Sequence, residues 1–600
     1  MKHLLKAFRL PFACLLIACA TVMTANAQSA PSPDHPEWAA ALKAAGTPIT
    51  VYTAKKIYTM DPGRPEATAI AVLDGRVLST GTLESMKPWL SRYNYTVDDT
   101  LKDKIVMPGF IEPHTHFYMS AGFMALSYIG PIELPNPAGG MYEPVPTHDD
   151  VIAKLTEIDR NLSDPNEPII AYGFDPANQG GSLDRKGLDA ISKTRSITVI
   201  AFAPHFVYLN SPAIKVAGIK DDTTIHGVFK NPDGTLSGVF NETLAVQAAL
   251  KPVFPKIIAL GGVKGLKFMG DIATSVGITT TSDMAYGAID LDTEWKDTTE
   301  AESDPNFAVR MRLVPMEAVM HAKYGDGAVD AWRKMAAKGN DKLFVDGIKF
   351  WTDGSLPLMS SMVRFPGFLD GSNGSVNNIP WDQLTARMLP WWKAGIQIHC
   401  HVNGDLSLDA CLHSLAELQD SKPRFDHRFN LEHYTMSTPM QVRRTAKLGG
   451  VASVNIYFAG YRSLLHSNHA YGPDRSEAFA RLGSLEREGV IFGLHSDYPQ
   501  VIVPMNPLEA VGIAVARIAE DGKTVVAPGE RIGVDRALRA ITIDAAYVIG
   551  MEDKVGSLIP GKFADFAVLE GDPYAVDPTK IKDIPVWGTV LSGKLHKANR

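Results

Sequence analysis

The sequence predicts an α/β protein: a (β/α)8 TIM-like barrel with a large insertion after strand 1, plus a small β-sandwich built from both termini. Three observations predict it. Eight short apolar strand signals alternate with helical stretches between residues 105 and 545, the pattern of a parallel sheet, and eight such units imply a barrel. The two ends of the chain are rich in short strands and turns. Histidine, lysine and aspartate stand where the apolar strand signals stop, and the C-terminal ends of the strands carry the chemistry in such barrels.

The first element is a leader. Lys2, Lys6 and Arg9 precede a mostly apolar run from Leu10 to Met23, and Ala25-Asn26-Ala27 offers a small-residue cleavage site. Residues 1–27 therefore read as a signal peptide of an exported, periplasmic protein. The run is short for a membrane span. Leu16-Ile17-Ala18-Cys19 resembles a lipobox, so lipid attachment at Cys19 is the lesser alternative.

Residues 28–104 form the N-terminal part of the expected sandwich. Ile49–Tyr52 and Ala69–Leu73 alternate as strands, and Asp74-Gly75 before Val77-Leu78 is a hairpin signal. Residues 546–600 supply the C-terminal part, with Ala564–Leu569 and Gly588–Leu591 as strands.

Between them, 105–545, the strand candidates are 105–112, 277–283, 307–315, 343–352, 395–402, 428–434, 450–458 and 490–497. A barrel of ordinary size has about 30 residues per βα unit. His401 to His433 spans 32 residues, one unit, and His433 to Asp497 spans 64, two units. His116 to Thr279 spans 163, so residues of about 120–258 are inserted after the first strand. An insertion there lies over the mouth of the barrel and reads as a substrate-selecting cap.

The candidate chemistry starts at His114-Thr115-His116. Residues i and i+2 of a strand share a face, and neutral imidazole is the commonest metal ligand. Lys349 ends the fourth strand candidate, His399 and His401 the fifth, His433 the sixth and Asp497 the eighth. Singly these have ordinary readings: a histidine satisfied in a core, a lysine snorkelling to water. Together they put ligand-type groups on one end of the barrel. His399 shares a face with His401 and competes with it as a ligand. His495 shares a face with Asp497, where it either orients that carboxylate or simply packs. Asp283, Asp353 and Asp405 read as helix caps and turn residues. Cys400 and Cys411 read as buried small apolar residues rather than a bridge.

Composition narrows the class. Charged residues are 21% of the chain and its formal net charge is −7, ordinary for a globular enzyme and without the basic excess of a nucleic-acid binder. The expected partner is a small-molecule substrate, with no nucleic acid, no membrane span after signal cleavage, and a homo-oligomer open.

Pro108-Gly109-Phe110-Ile111-Glu112-Pro113-His114-Thr115-His116, Lys349 with Asp353-Gly354-Ser355, His401 with Gly404-Asp405, Glu432-His433 and Ser496-Asp497-Tyr498-Pro499 resemble the amidohydrolase superfamily. The branch is the one that includes N-substituted formamide deformylases, and the likeness covers nearly the whole chain after the leader. It implies two divalent metal ions, most often Zn2+: His114, His116 and Asp497 on one, His401 and His433 on the other, and carboxylated Lys349 bridging them. It implies hydrolysis of a C–N bond (non-peptide amide, formamide or carbamate-like) of a small substrate through a metal-bridging hydroxide, Asp497 acting as general base and then acid. In the insertion His205 and Glu242 match the same branch as substrate contacts. An ester, lactone or phosphoester hydrolase on the same metals is the alternative, and a non-catalytic binding protein a further one.

Overall fold

The computed structural model describes residues 48–598 apart from 378 and 502. The leader expected over 1–27, with Cys19, lies outside the described residues. Strands from the two ends of the chain share one eight-stranded sheet. Ile105–Pro108 is its seam, pairing in parallel with Ile49–Tyr58 and antiparallel with Phe566–Leu569. In its hydrogen bonding the expected sandwich is thus a single sheet. Helix Leu83–Leu90 packs Met86 and Leu90 against one face, on Val51, Ala69 and Ala71. The expected hairpin is present: Asp74 and Gly75 have φ of 49° and 72°, the left-handed pair that a two-residue turn requires, and Leu73 pairs with Arg76.

The first strand candidate, 105–112, divides at Gly109. Ile105–Pro108 stays in the terminal sheet while Phe110–Thr115 pairs in parallel with Ile278–Tyr286. A Cβ on residue 109 would lie 2.0 Å from Thr279 Oγ1, so glycine alone lets the chain pass from one sheet to the other here.

The middle of the chain forms two parallel arcs. One runs Phe110–Thr115, Ile278–Tyr286, Arg310–Pro315, Leu343–Val345; the other runs Ile348–Trp351, Ile398–Val402, Asn430–His433, Val451–Val454, Phe492–Leu494. The candidate 343–352 is broken at Asp346-Gly347, and its halves belong to different arcs, joined by a bridge between Met316 and Lys349. Every residue of Ile278–Tyr286 is buried, which suits its β-branched run of Ile and Thr between two covered faces. At the other junction no ladder closes the ring among the described residues. Ile111 N–H donates to Ile541 O and Leu494 N–H to Ala540 O, so residues 540–541 stand between the first and last strands. Side chains span the gap: Ser496 N and Oγ donate to Glu112 at 3.0 and 2.9 Å.

Phe110–Thr115 and Ile278–Tyr286 are neighbours in space although a separate six-stranded sheet, with strands from Ser127–Tyr128 to Leu236–Asn241, lies between them in sequence. Two buried ties hold that sheet to the strand ends. Arg462 Nη2 donates to Asp175 Oδ2 at 2.7 Å, and Tyr172 Oη to Pro499 O at 3.0 Å. Cys400 and Cys411 are free and buried.

Candidate metal centre

His114 closes toward the end of Phe110–Thr115, and His116 follows it as the N-cap of helix Phe117–Phe123. His114 Nδ1 donates to Glu432 Oε2 at 2.6 Å. That fixes the tautomer, leaving Nε2 with a free lone pair. His114 Nε2 is buried without a hydrogen-bond partner and lies 3.6 Å from Asp497 Oδ1; His116 Nε2 is 3.2 Å from the same oxygen. Ligand atoms of His114, His116 and Asp497 all fall within 4.8 Å of one another, as do those of His114, His433 and His495.

His433 Nε2 and His401 Nδ1 are 3.0 Å apart, and His433 Nδ1 is 3.9 Å from Asp497 Oδ2. His495 stacks on His114 with ring centroids 4.6 Å apart and an interplanar angle of 17°; both its ring nitrogens lack hydrogen-bond partners. Burial first, and neighbouring positive groups second, hold His114, His401, His433 and His495 well below the usual histidine range. They are therefore neutral, the form that ligates.

Lys349 Nζ is buried and has no hydrogen-bond partner among the described residues. Burial pushes its ammonium down to about 8, against the pull of Glu432 and Asp497. His401 faces His433 through Nδ1, and its Nε2 lies 3.1 Å from Gly354 O and 3.0 Å from Asn403 Nδ2; His399 is turned to Glu432 and Arg312 instead. Its Nδ1 donates to Glu432 Oε1 at 2.6 Å and its Nε2 accepts from both Arg312 Nη atoms at 3.2 Å, so neither nitrogen is free for an ion.

The residues fit a metal. Partnerless buried atoms are rare because each costs about 1–3 kcal/mol. Here they are His114 Nε2, His116 Nδ1, His433 Nδ1, Asp497 Oδ1 and Lys349 Nζ, with both nitrogens of His495. A neutral-imidazole and carboxylate set of this kind suits a borderline divalent ion such as zinc. Asp497 and His433 also hold left-handed backbone, φ 59° and 69°, a strain of about 1–3 kcal/mol each that collects at functional sites.

A cavity opens onto the cluster, with His116, His205, His401, His433, Asp497 and Gln500 in its wall. His205 reaches it from the insertion. Its ring lies 6.0 Å from Trp351 and 5.5 Å from His401, and its Nδ1 donates to Glu242 Oε2 at 2.8 Å. Burial opposes a charge on His205, yet Glu242, followed by Asp353 and Asp497, raises its pKa above the ordinary value. Glu242 stands behind His205 rather than in the wall. It is buried, has φ 63°, and accepts a second bond from Asn377 Nδ2 at 2.8 Å. A Cβ at Gly354 would lie 2.4 Å from Glu242 Oε1, so the glycine makes room for this carboxylate.

Asp283, Asp353 and Asp405 serve loops. Asp283 accepts from Tyr118 N, Asp353 from Met362 N and Gly404 N, and Asp405 from Arg364 N. The sequence reading missed the part played by Glu432 and by Trp351. An acidic residue beside a strand-end histidine was the available signal for Glu432.

The sequence profile of the amidohydrolase family matches residues 99–596. The chain belongs to that family. This amidohydrolase is 26% identical over 563 residues to Protein LONG AFTER FAR-RED 3 of Arabidopsis thaliana, covering 90% of each chain. It is 22% identical over 554 residues to N-substituted formamide deformylase of Arthrobacter pascens, covering 90% of this chain and 96% of the relative. Its fold is shared with the crystal structure of an uncharacterized metal-dependent hydrolase from Pyrococcus horikoshii OT3, at a TM-score of 0.66 and 19% identity, over 88% of this amidohydrolase and 99% of that chain. Family and cluster together support an amidohydrolase-type hydrolase that depends on a divalent metal.

Proposed function

We propose that this amidohydrolase cleaves a C–N bond of a small non-peptide amide, formamide or carbamate-like substrate. The observation that carries the reading is the convergence of partnerless buried atoms from His114, His116, His433, Lys349 and Asp497 at one end of the parallel arcs. The relative from Arthrobacter pascens, a deformylase of N-substituted formamides by name, supports the bond class. The arcs are read as the family's (β/α)8 barrel, and residues 120–258 as its cap.

In this reading His114, His116 and Asp497 would hold one ion, His401 and His433 a second, and Lys349, carboxylated on its amine, would be a ligand. Such ions, zinc by the donor set, would supply Lewis acidity and a lowered pKa for an attacking water. Asp497 takes the water's proton on Oδ and returns it to the leaving nitrogen. The left-handed backbone at Asp497 is held by Ser496, whose N and Oγ both bind Glu112. His205, oriented by Glu242 through Nδ1, turns Nε2 toward the substrate and donates to its carbonyl oxygen or leaving nitrogen.

The test is metal analysis of the purified protein together with a paired amide and ester screen. Close to two divalent ions per chain and turnover of amides above matched esters are expected. Active protein without bound metal would sink the mechanism, and turnover of esters alone would move the bond class to the ester alternative.

A further inference from the structure

The cavity at the metal cluster has a neighbour. A second cavity shares Met119, Pro204, His205 and Trp351 with the first. Its remaining wall is of another kind: Phe123, Val246, Leu250, Phe254, Ile289 and Met316 dominate it. Besides His205 and the indole N–H of Trp351, the polar side chains among its described lining residues are Thr243 and Gln247, and the Thr243 hydroxyl already donates to Asn377 Oδ1 at 2.6 Å. Among the described residues no carboxylate, lysine or arginine lines it.

Much of this wall comes from the insertion. Helices Glu242–Leu250 and Phe254–Leu260 form a bent, strongly apolar pair. Ala245 and Ala249 of the first helix pack into the core, while Val246, Leu250 and Phe254 line the cavity. The helix that begins at Glu242, the carboxylate orienting His205, therefore also shapes the second cavity. His205 and Trp351 stand at the boundary, with the ring of His401 5.5 Å from that of His205.

We infer that the second cavity is the subsite for an uncharged aryl substituent of the substrate, close to the bond hydrolysed at the metal cluster. This rests on the proposed function and adds the substrate class. A charged substituent would be stripped of water with no carboxylate, lysine or arginine among the described wall residues to meet it, and the one titratable group there, His205, is already paired with Glu242. A flat ring gains apolar burial and the aromatic faces of Trp351, Phe123 and Phe254.

Hydroxamates, which chelate the metal through one end, test this on the metal-loaded full chain by calorimetry. Benzohydroxamate and phenylacetohydroxamate should bind about 10- to 100-fold tighter than acetohydroxamate, the gain expected from burying a ring. Succinic monohydroxamate, with a charged tail, should show no gain. Val246→Trp fills the cavity and should bring the aryl-to-methyl affinity ratio to about 1, by the loss of that same burial. Gln247→Glu, an isosteric change at a half-buried position, puts a carboxylate in the wall and should lower the same ratio if Val246→Trp fails to fold. Metal content is measured for each variant. Equal affinities in the unaltered protein, including no binding of any hydroxamate, overturn the inference, as does a ratio that survives in the folded variants. If the ratio behaves as expected while no amide is hydrolysed, the C–N reading falls and the subsite stands. If amides are hydrolysed with kcat/KM indifferent to the aryl group, the reverse holds.

Discussion

Glu432 holds His114 from behind: Glu432 Oε2 accepts from His114 Nδ1 at 2.6 Å, and its other oxygen accepts from His399 Nδ1 at the same distance. Arg312 donates to the far side of His399. A buried chain of charge-assisted bonds thus runs from Arg312 to the nitrogen that would meet the ion. Such a partner fixes the ring and raises its basicity.

Glu432→Gln should therefore weaken metal binding by about 10- to 100-fold. An amide keeps one acceptor oxygen and presents an N–H to the other histidine, so one of the two bonds is lost. Metal retained after dialysis against a competing chelator reads this, with partial recovery of turnover in excess metal. Retention equal to that of the unaltered protein would show that His114 needs no such support.

Asp497→Asn should keep much of the metal and lose about 100- to 10,000-fold in turnover, the usual worth of a positioned acid–base group. The amide oxygen can still ligate but cannot take a proton from water. Near-normal turnover at neutral pH would assign the base elsewhere.

The sequence shows the positions at strand ends, because apolar runs stop there and ligand-type residues begin. It hides what depends on broken alternation. In an ideal strand Glu432 and His433 face opposite sides. His433 has φ 69°, and both side chains turn inward, so parity alone gives Glu432 no place at the site. The strand candidate 450–458 is present in its first half only. The strand ends at Val454, and Tyr457–Tyr461 is a buried helix; a short apolar run has the same look in either state. Residues 540–541, set between the first and last strands, and Glu112, bonded to Ser496 384 residues away, depend on the closed chain path and leave no local signal.

Arg462 and Asp175, both buried, tie the insertion to the strand ends at 2.7 Å. Arg462→Met strands a carboxylate without its cation and should cost about 3–5 kcal/mol, seen as a lower urea midpoint. Asp175→Asn with Arg462→Met should recover part of that loss, since both charges are gone. Additive single effects in this cycle would mean the pair is not coupled.

Lys349 is the residue whose chemistry must change for the centre to work as proposed. An ammonium has three donors and no acceptor, and a like charge close to divalent ions is strongly disfavoured. Nζ nevertheless sits buried and partnerless beside the cluster, and Lys349 faces His399 across the ladder and Met316 at the join of the two arcs. Carboxylation would turn the amine into an anion with two oxygens able to ligate. Lys349→Ala should then lose at least one ion per chain and about 100-fold or more in turnover, the order of removing a group that stabilises charge at the reacting centre. Acetate or propionate should restore part of both, by placing a small carboxylate where the side chain was. Full metal content and turnover in Lys349→Ala would remove the bridge from the mechanism; restored turnover with no gain in metal would leave Lys349 a role in the reaction and none in holding the ions.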